Sequence, residues 1–387
     1  MTVTTASTVS DSVVTARRAV IDESGWGAKF HVIQPRNFTF WVMAFLFAVG
    51  VPYTVKGFSS AGKAYPEAVG LGIAWFTLFG LAFLWLFHRL DRYSSIPAKA
   101  KIIAFLFAGL VTTFGMAAIN NDAFRSILHK TIGTDFLLNW SAGVTAPWSE
   151  EIAKALPVIL LIGLAPRVMR SAFDGLIIGV ISGLAFQVFE NVAYVWGSAA
   201  ANFGEAKYGM TTLGMRTILS TGHWAWSGVV GAGVIYLIGR PSEPARRVFG
   251  VLLILSSMFF HFLWDSIAAM TGGATWSIGL FIPYSLVNLV VFIWVYRRTV
   301  ARERDWARAL LAPEVEIGAI TAAELDAYAG TRKDRKHFVK AEKGRRRPKH
   351  VLEGVGDLAD EIAEGYGVDT EDVVLARQEI ARVRGAN

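Results

Sequence analysis

The sequence predicts an all-α fold: a polytopic membrane helix bundle of about eight transmembrane helices with a polar cytoplasmic tail. Three observations carry this. Of the 387 residues, 53% are hydrophobic and only 18% charged, with a mean hydropathy of +0.42, a balance foreign to water-soluble domains. Apolar stretches of about 20 residues, enough to cross a bilayer at ~1.5 Å per residue, recur between residues 38 and 296. Lys and Arg collect in alternate connections between them.

Residues 1–37 are polar and lack an apolar core followed by a small-residue cleavage site. They read as a disordered cytoplasmic arm, not a signal peptide. The transmembrane domain, 38–296, contains eight apolar stretches: 38–55, 68–87, 102–120, 147–166, 172–196, 217–238, 248–270 and 274–296. The first is the shortest and holds Pro52. Thirteen Lys and Arg lie in the arm and in the connections around Arg89–Lys101, Arg167–Arg170 and Arg240–Arg247. Six lie in the other connections, at Lys56, Lys63, Arg125, Lys130, Lys207 and Arg216. The richer set belongs in the cytoplasm, so both termini are expected there, in a multi-pass protein of the cell membrane. The net charge of +7 comes from these loops and the tail, and points to no nucleic-acid partner. With no cysteine, disulfides, thiolate metal sites and a cysteine nucleophile are excluded.

The tail, 297–387, is basic and then acidic. Residues 332–350 carry ten Lys or Arg against Asp334 and Glu342. Such a run is either a solvated face or a patch drawn to anionic lipid, at about 1 kcal/mol per cation near the surface. Residues 351–387 hold nine acids and three Arg. There Leu352, Leu358 and Ile362, then Val374, Leu375 and Ile380, predict short amphipathic helices.

Ionisable side chains interrupt four of the apolar stretches: Glu150 and Glu151, Glu190, His223, and His261 with Asp265. A charge at the centre of a membrane helix costs at least ~2.5–3.5 kcal/mol, so such residues mark function by default. The orientation above puts all of them toward the outer side. Glu150 and Glu151 fall in the first turn after Pro147. Glu190 and His223 lie about 9 Å from their span ends, His261 about 13 Å and Asp265 about 7 Å. Trp148, Trp196 and Trp276 near those ends fit an interfacial aromatic belt.

The residue types suit hydrolysis. Glu190, His223 and His261 form a catalytic zinc set, three ligands with a fourth position open. Asp265, four residues after His261 on the same helix face, is a fourth ligand or an orienter of that imidazole. Glu150 or Glu151 is a base for water. Lys154, at i+4 from Glu150, holds one carboxylate charged. Each group also has a plainer reading. The glutamates pair with Lys154 at an interface, His261 pairs with Asp265, and Glu190 with Asn191 bonds neighbouring helices. Buried Glu, His and Asp also build the proton relays of transporters and channels, although no internal repeat is visible. The His-Glu-x-x-His, Gly-x-Gly-Asp and Gly-x-Ser-Gly signatures of other membrane proteases are absent.

The motifs resemble a known family. Ser149-Glu150-Glu151-Ile152-Ala153-Lys154 is similar to the Glu-Glu-x-x-Lys motif of PrsW-type intramembrane metalloproteases. Phe186-Gln187-Val188-Phe189-Glu190 is similar to their Phe-x-x-x-Glu motif. His223 matches a lone-His motif, and His261-Phe262-Leu263-Trp264-Asp265 resembles His-x-x-x-Asp. The resemblance runs over about 145–270, with the four motifs in order, and extends to a wider clan with CAAX prenyl proteases and bacteriocin-immunity-type membrane proteins. It implies catalytic or metal-binding glutamates and histidines. It also implies a membrane-spanning anti-sigma factor as substrate, cut outside the membrane; the depth of the polar residues separately points to a single-span protein cut near its extracytoplasmic boundary. A non-proteolytic immunity or scaffold protein of the same fold is the remaining alternative.

Overall fold

The computed structural model describes residues 10–91, 93, 96–218, 221–341 and 347–385. The first nine residues of the arm and 342–346 of the basic run therefore lie outside the described residues. Among the described residues, β-structure is confined to an isolated bridge between Arg240 and Glu243; the long elements are all helices. They fall into two compact units. One takes the described residues up to Lys29, Tyr93, and those from Val300 on. The other takes Phe30 to Thr299 apart from 93–95.

The larger unit begins with α2 (Phe38–Ala64), whose first turn is capped by Asn37 accepting from the Thr39 N–H, and α3 (Pro66–Leu90). Next come α4 (Ala98–Phe107), a π-helical stretch (Ala108–Ala118) and α5 (Ile119–Thr131), running without a break. α6 (Thr134–Leu164) follows, then α7 (Ala172–Ala201), opened by a reciprocal Ser171–Asp174 capping box. α8 (Ala206–Ile218), α9 (His223–Ile238) and α10 (Arg247–Met270) lead to a 3-10 turn (Thr275–Leu280) and α11 (Phe281–Glu316).

By length and composition, six of these helical segments can cross a membrane: Phe38–Ala64, Pro66–Leu90, Ala98–Thr131, Ala172–Ala201, Arg247–Met270 and Thr275–Glu316. The other two expected spans coincide with α6 and α9. Glu150, Glu151 and Lys154 interrupt the apolar run of α6, and α9 has only 16 residues. The helices that depart from a simple span are thus two that carry candidate site residues.

α7 is the central helix. Of its most apolar 18-residue stretch 94% is buried, against 17% for α2, whose Phe38, Trp41 and Phe45 face outward. What packs α7 against α9 is backbone. Gly175, Gly179 and Gly183 recur every fourth residue and so share one face. A Cβ on them would lie 2.3, 2.1 and 2.2 Å from the carbonyl oxygens of Gly231, Ser227 and His223. Small residues allow this approach, and in an apolar solvent close packing and hydrogen bonding replace the hydrophobic drive. Gly233 and Gly250 bring α9 and α10 together in the same way: a Cβ on Gly250 would lie 2.6 Å from the Gly233 carbonyl oxygen.

Helix ends differ from expectation near the site. α6 starts at Thr134, thirteen residues before 147, so Glu150 lies in mid-helix and not in a first turn. α7 continues to Ala201. The stretch 217–238 does not form one helix: α8 ends at Ile218, and α9 begins at His223 after Gly222, whose backbone is not helical. His223 is therefore the first residue of its helix. The candidate residues are gathered by packing rather than by equal distances from span ends.

The smaller unit contains α1 (Asp11–Ser24), the end of α11, α12 (Ala322–Ala329), α13 (Arg332–Ala341), α14 (Arg347–Glu364) and α15 (Glu371–Gly385). α14 and α15 are the amphipathic helices expected in the tail; Leu352, Leu358, Ile362 and Ile380 are buried, whereas Leu375 is exposed. The disordered arm is a correction, because residues 11–24 form α1. Arg17, fully buried, pairs with Glu314 and donates to Asp369 Oδ1 at 2.9 Å, and Trp26 Nε1 donates to Asp360 at 2.7 Å. Those partners are about 300 residues away, so no local pattern could announce the helix. Arg377 binds the same two carboxylates, at 2.8 Å to Glu314 and 2.6 Å to Asp369. Removing one partner of a buried pair costs up to about 3–5 kcal/mol; here Arg377 still holds both acids. Arg17→Met is therefore expected to free α1 without dissolving the unit. Amide hydrogen exchange should rise in 11–24 and stay low in 371–385; unchanged exchange in 11–24 would contradict this account.

Candidate functional site

The polar residues singled out in the apolar stretches converge in the larger unit. Glu150 and Glu151 are adjacent on α6 and Lys154 follows one turn later, with side chains 6%, 1% and 0% exposed. α7 supplies Glu190, α9 supplies His223 and α10 supplies His261 and Asp265. Lys154 Nζ lies 2.7 Å from Glu151 Oε1, 3.6 Å from Glu150 Oε2 and 2.6 Å from His223 Nδ1. Its ammonium also lies 4.5 Å from the centre of the Phe186 ring, a cation–π contact. One cation thus joins the α6 carboxylates to the imidazole of α9, far beyond the single pairing read from sequence.

Each imidazole is held on both sides. His261 Nδ1 is 2.9 Å from Glu151 Oε1, and its Nε2 is 3.4 Å from Asp265 and 3.7 Å from Glu150 Oε2. With Nδ1–H donated to Glu151, Nε2 is free to bind a cation, the usual carboxylate–histidine arrangement behind a metal ligand. His223 Nε2 is 2.8 Å from Glu190 Oε2, and its Nδ1 is 4.0 Å from Glu150 Oε2. Trp226 stacks on His261 at 4.3 Å with 20° between the planes. Its Nε1 donates to Tyr284 OH at 3.1 Å, and that hydroxyl donates to the Phe260 carbonyl at 3.0 Å.

Glu150 is the centre of the arrangement. Asn121 Nδ2 donates to its Oε1 at 3.0 Å, while Oε2 has no hydrogen-bond partner. A buried carboxylate oxygen with no hydrogen bond is rare and costly; the Lys154 ammonium, 3.6 Å away, pairs with it only as a charge. Oε2 also faces both histidines. Glu150, His223 and His261 can each offer a ligand atom within 4.8 Å of the others. Two imidazoles and a carboxylate are a fitting donor set for a divalent cation such as zinc.

The sequence groups Glu190 with the two histidines and leaves Glu150 or Glu151 as base. In this geometry Glu190 touches His223, while Glu150 is the carboxylate grouped with both rings. Asp265 lies beside His261. Asn191 is buried with neither side-chain polar atom hydrogen-bonded, and no candidate group bonds it. Four contributors escaped sequence reasoning: Asn121, Arg216, Trp226 and Tyr284. Arg216 lies 3.4 Å from Glu190 and packs over the Tyr194 ring at 3.5 Å; in the sequence it was one loop cation among several. Trp226, three residues after His223, offered the only local signal.

Fold and site together define a multi-pass, all-helical membrane protein with a carboxylate–histidine centre buried among its helices. The profile of the PrsW family intramembrane metalloprotease matches residues 96–296, just over half of the chain. The chain belongs to that family, which supports an intramembrane protease acting on membrane proteins. No curated protein and no solved structure matches it.

Proposed function

We propose that this protein is an intramembrane endopeptidase of the cell membrane, with both termini cytoplasmic, that cuts a single-span membrane protein near its extracytoplasmic boundary. The observation that carries the chemistry is the unbonded Glu150 Oε2, 3.7 Å from His261 Nε2 and 4.0 Å from His223 Nδ1. His223, His261 and Glu150 would hold a divalent cation, zinc by donor type. When bound, the cation supplies Lewis acidity and makes a water molecule easier to deprotonate.

The remaining groups have distinct tasks. Glu151 fixes the His261 ring from its Nδ1 side. His223 Nδ1, the atom facing Glu150, lies 2.6 Å from Lys154 Nζ, so a cation held there would displace that ammonium, which keeps its pairing with Glu151. Glu190 and Asp265, beside the Nε2 atoms of the two rings, are the carboxylates placed to take the proton of an attacking water and return it to the leaving amine. Relative to the sequence expectation, Glu150 becomes a ligand, Glu151 an orienter, and Glu190 and Asp265 bases. The buried ring of Trp226 excludes water from one face of His261.

The substrate class follows from access. His223 opens α9, and the Lys/Arg asymmetry puts that helix end on the extracytoplasmic side. A transmembrane helix offers no free carbonyl until it unwinds, so cutting favours the frayed outer end of a substrate span. The resemblance in the motifs adds an anti-sigma factor as the specific substrate. The basic run 332–350 attracts anionic lipid; α13, within it, has no buried residue. Terminal sequencing of fragments from a co-expressed single-span substrate tests the placement. The new ends should fall at the extracytoplasmic end of the substrate's span, and a cut at its cytoplasmic end would refute this orientation.

A further inference from the structure

We infer that Asn121, outside all four motifs, is a positioning residue that aims the Glu150 carboxylate at the two histidines. The inference rests on the reading of Glu150 as a ligand and adds what holds it in place.

α5 is an exposed helix. Among 121–130 only Asn121 and Leu128 are even half-buried. Asn121 nonetheless turns its amide inward, donating from Nδ2 to Glu150 Oε1 at 3.0 Å. Its own Oδ1 accepts from the hydroxyl of Ser149, the residue before Glu150. An ionised carboxylate only accepts, so the amide must present its nitrogen to Glu150, and the Ser149 hydroxyl then fits its oxygen. The two bonds form a clamp. They select which Glu150 oxygen is bonded and fix the carboxylate plane, leaving Oε2 unbonded toward His223 and His261.

The backbone before Asn121 is unusual in the same sense. Residues 108–118 are π-helical, a geometry that occurs mostly in short pieces and often at functional sites. Thr112 and Thr113 both donate to the Ala108 carbonyl, at 2.6 and 3.0 Å. Thr54 of α2 donates to the Leu110 carbonyl at 2.8 Å. The wider turn changes the phase of the helix just before Asn121, and so decides which side of α5 meets α6.

A merely structural α5–α6 tie would affect stability. A positioning role instead affects the site while the fold stays intact. The test uses the full-length protein in detergent, with zinc as the probe and affinity measured against a chromophoric chelator. Asn121→Leu keeps the size and removes both bonds; it should weaken zinc binding about 10–100-fold, as loss of an outer partner of a ligand does, with the protein still folded and at most a small drop in melting temperature. Asn121→Asp, which cannot donate when ionised, should do the same. On a Glu150→Asp background, which keeps a carboxylate but shortens it away from Asn121, Asn121→Leu should cost much less than in the wild type, because it acts through Glu150. Wild-type zinc affinity in Asn121→Leu, or an equal loss on top of Glu150→Asp, would overturn the inference. Wild-type affinity in Glu150→Gln alone would instead remove the ligand assignment beneath it.

Discussion

Glu150→Gln is expected to lose both zinc and proteolysis, whereas Glu190→Gln should keep the zinc and lose proteolysis. An amide in place of the Glu150 carboxylate keeps the shape but cannot supply a charged oxygen to the histidine pair. Loss of a ligand and loss of activity then come together, as in other cooperative metal sites. Glu190 lies on the other side of His223, hydrogen-bonded at 2.8 Å and flanked by Arg216. As a proton acceptor it should be worth about 10²–10⁴-fold in rate, the usual range for general base catalysis. His223→Ala and His261→Ala should behave like Glu150→Gln. Elemental analysis of purified protein and cleavage of one substrate in parallel separate the cases. If Glu190→Gln loses the metal and Glu150→Gln retains it, the assignment reverts to the one the sequence suggested. Full activity in metal-free protein would exclude the metal altogether and leave the carboxylates and histidines as a water-activating set.

Gly179→Leu is expected to be the most damaging substitution outside the site. A Cβ at residue 179 would lie 2.1 Å from the Ser227 carbonyl oxygen and 3.1 Å from Gly228 Cα. The obstacle is backbone, so no rotamer change relieves it. Ordinary overpacking costs about 1–3 kcal/mol; here α7 and α9 must separate, and α9 carries His223 at its first residue. The expected result is poor yield or a large drop in melting temperature for any recovered protein, with metal content lost in parallel. Gly179→Ala, carrying only the clashing Cβ, should show the same trend at smaller size. Gly197→Ala, on the same helix with nothing within 4 Å of the added carbon, is the control and should be neutral. Normal melting of Gly179→Leu would show that the α7–α9 contact is looser than described.

The sequence alone determined the helical membrane class and the family, and it singled out the polar residues that the fold then brings together. Those features are local: apolar length, a charge where apolar residues belong, and motif spacing along one helix. His261 with Asp265, and Glu150 with Lys154, are legible because a helix places i and i+4 on one face. The amphipathic helices of the tail are legible for the same reason. The division of labour was not legible. Whether Glu150 or Glu190 joins both histidines depends on how α6, α7, α9 and α10 pack, and glycine contacts between backbones set the α7–α9 and α9–α10 part of it. Helix ends were misread where continuation was decided by neighbours: α6 extends back to Thr134, and the apolar stretch at 217–238 breaks before His223 at Gly222. The docking of α1 was invisible because the partners of Arg17, Glu314 and Asp369, lie at the far end of the chain. Asn121 carries no signal in its own segment. Its meaning comes only from the carboxylate that packing brings within 3.0 Å, since a hydrogen bond between distant segments leaves no periodic trace in either.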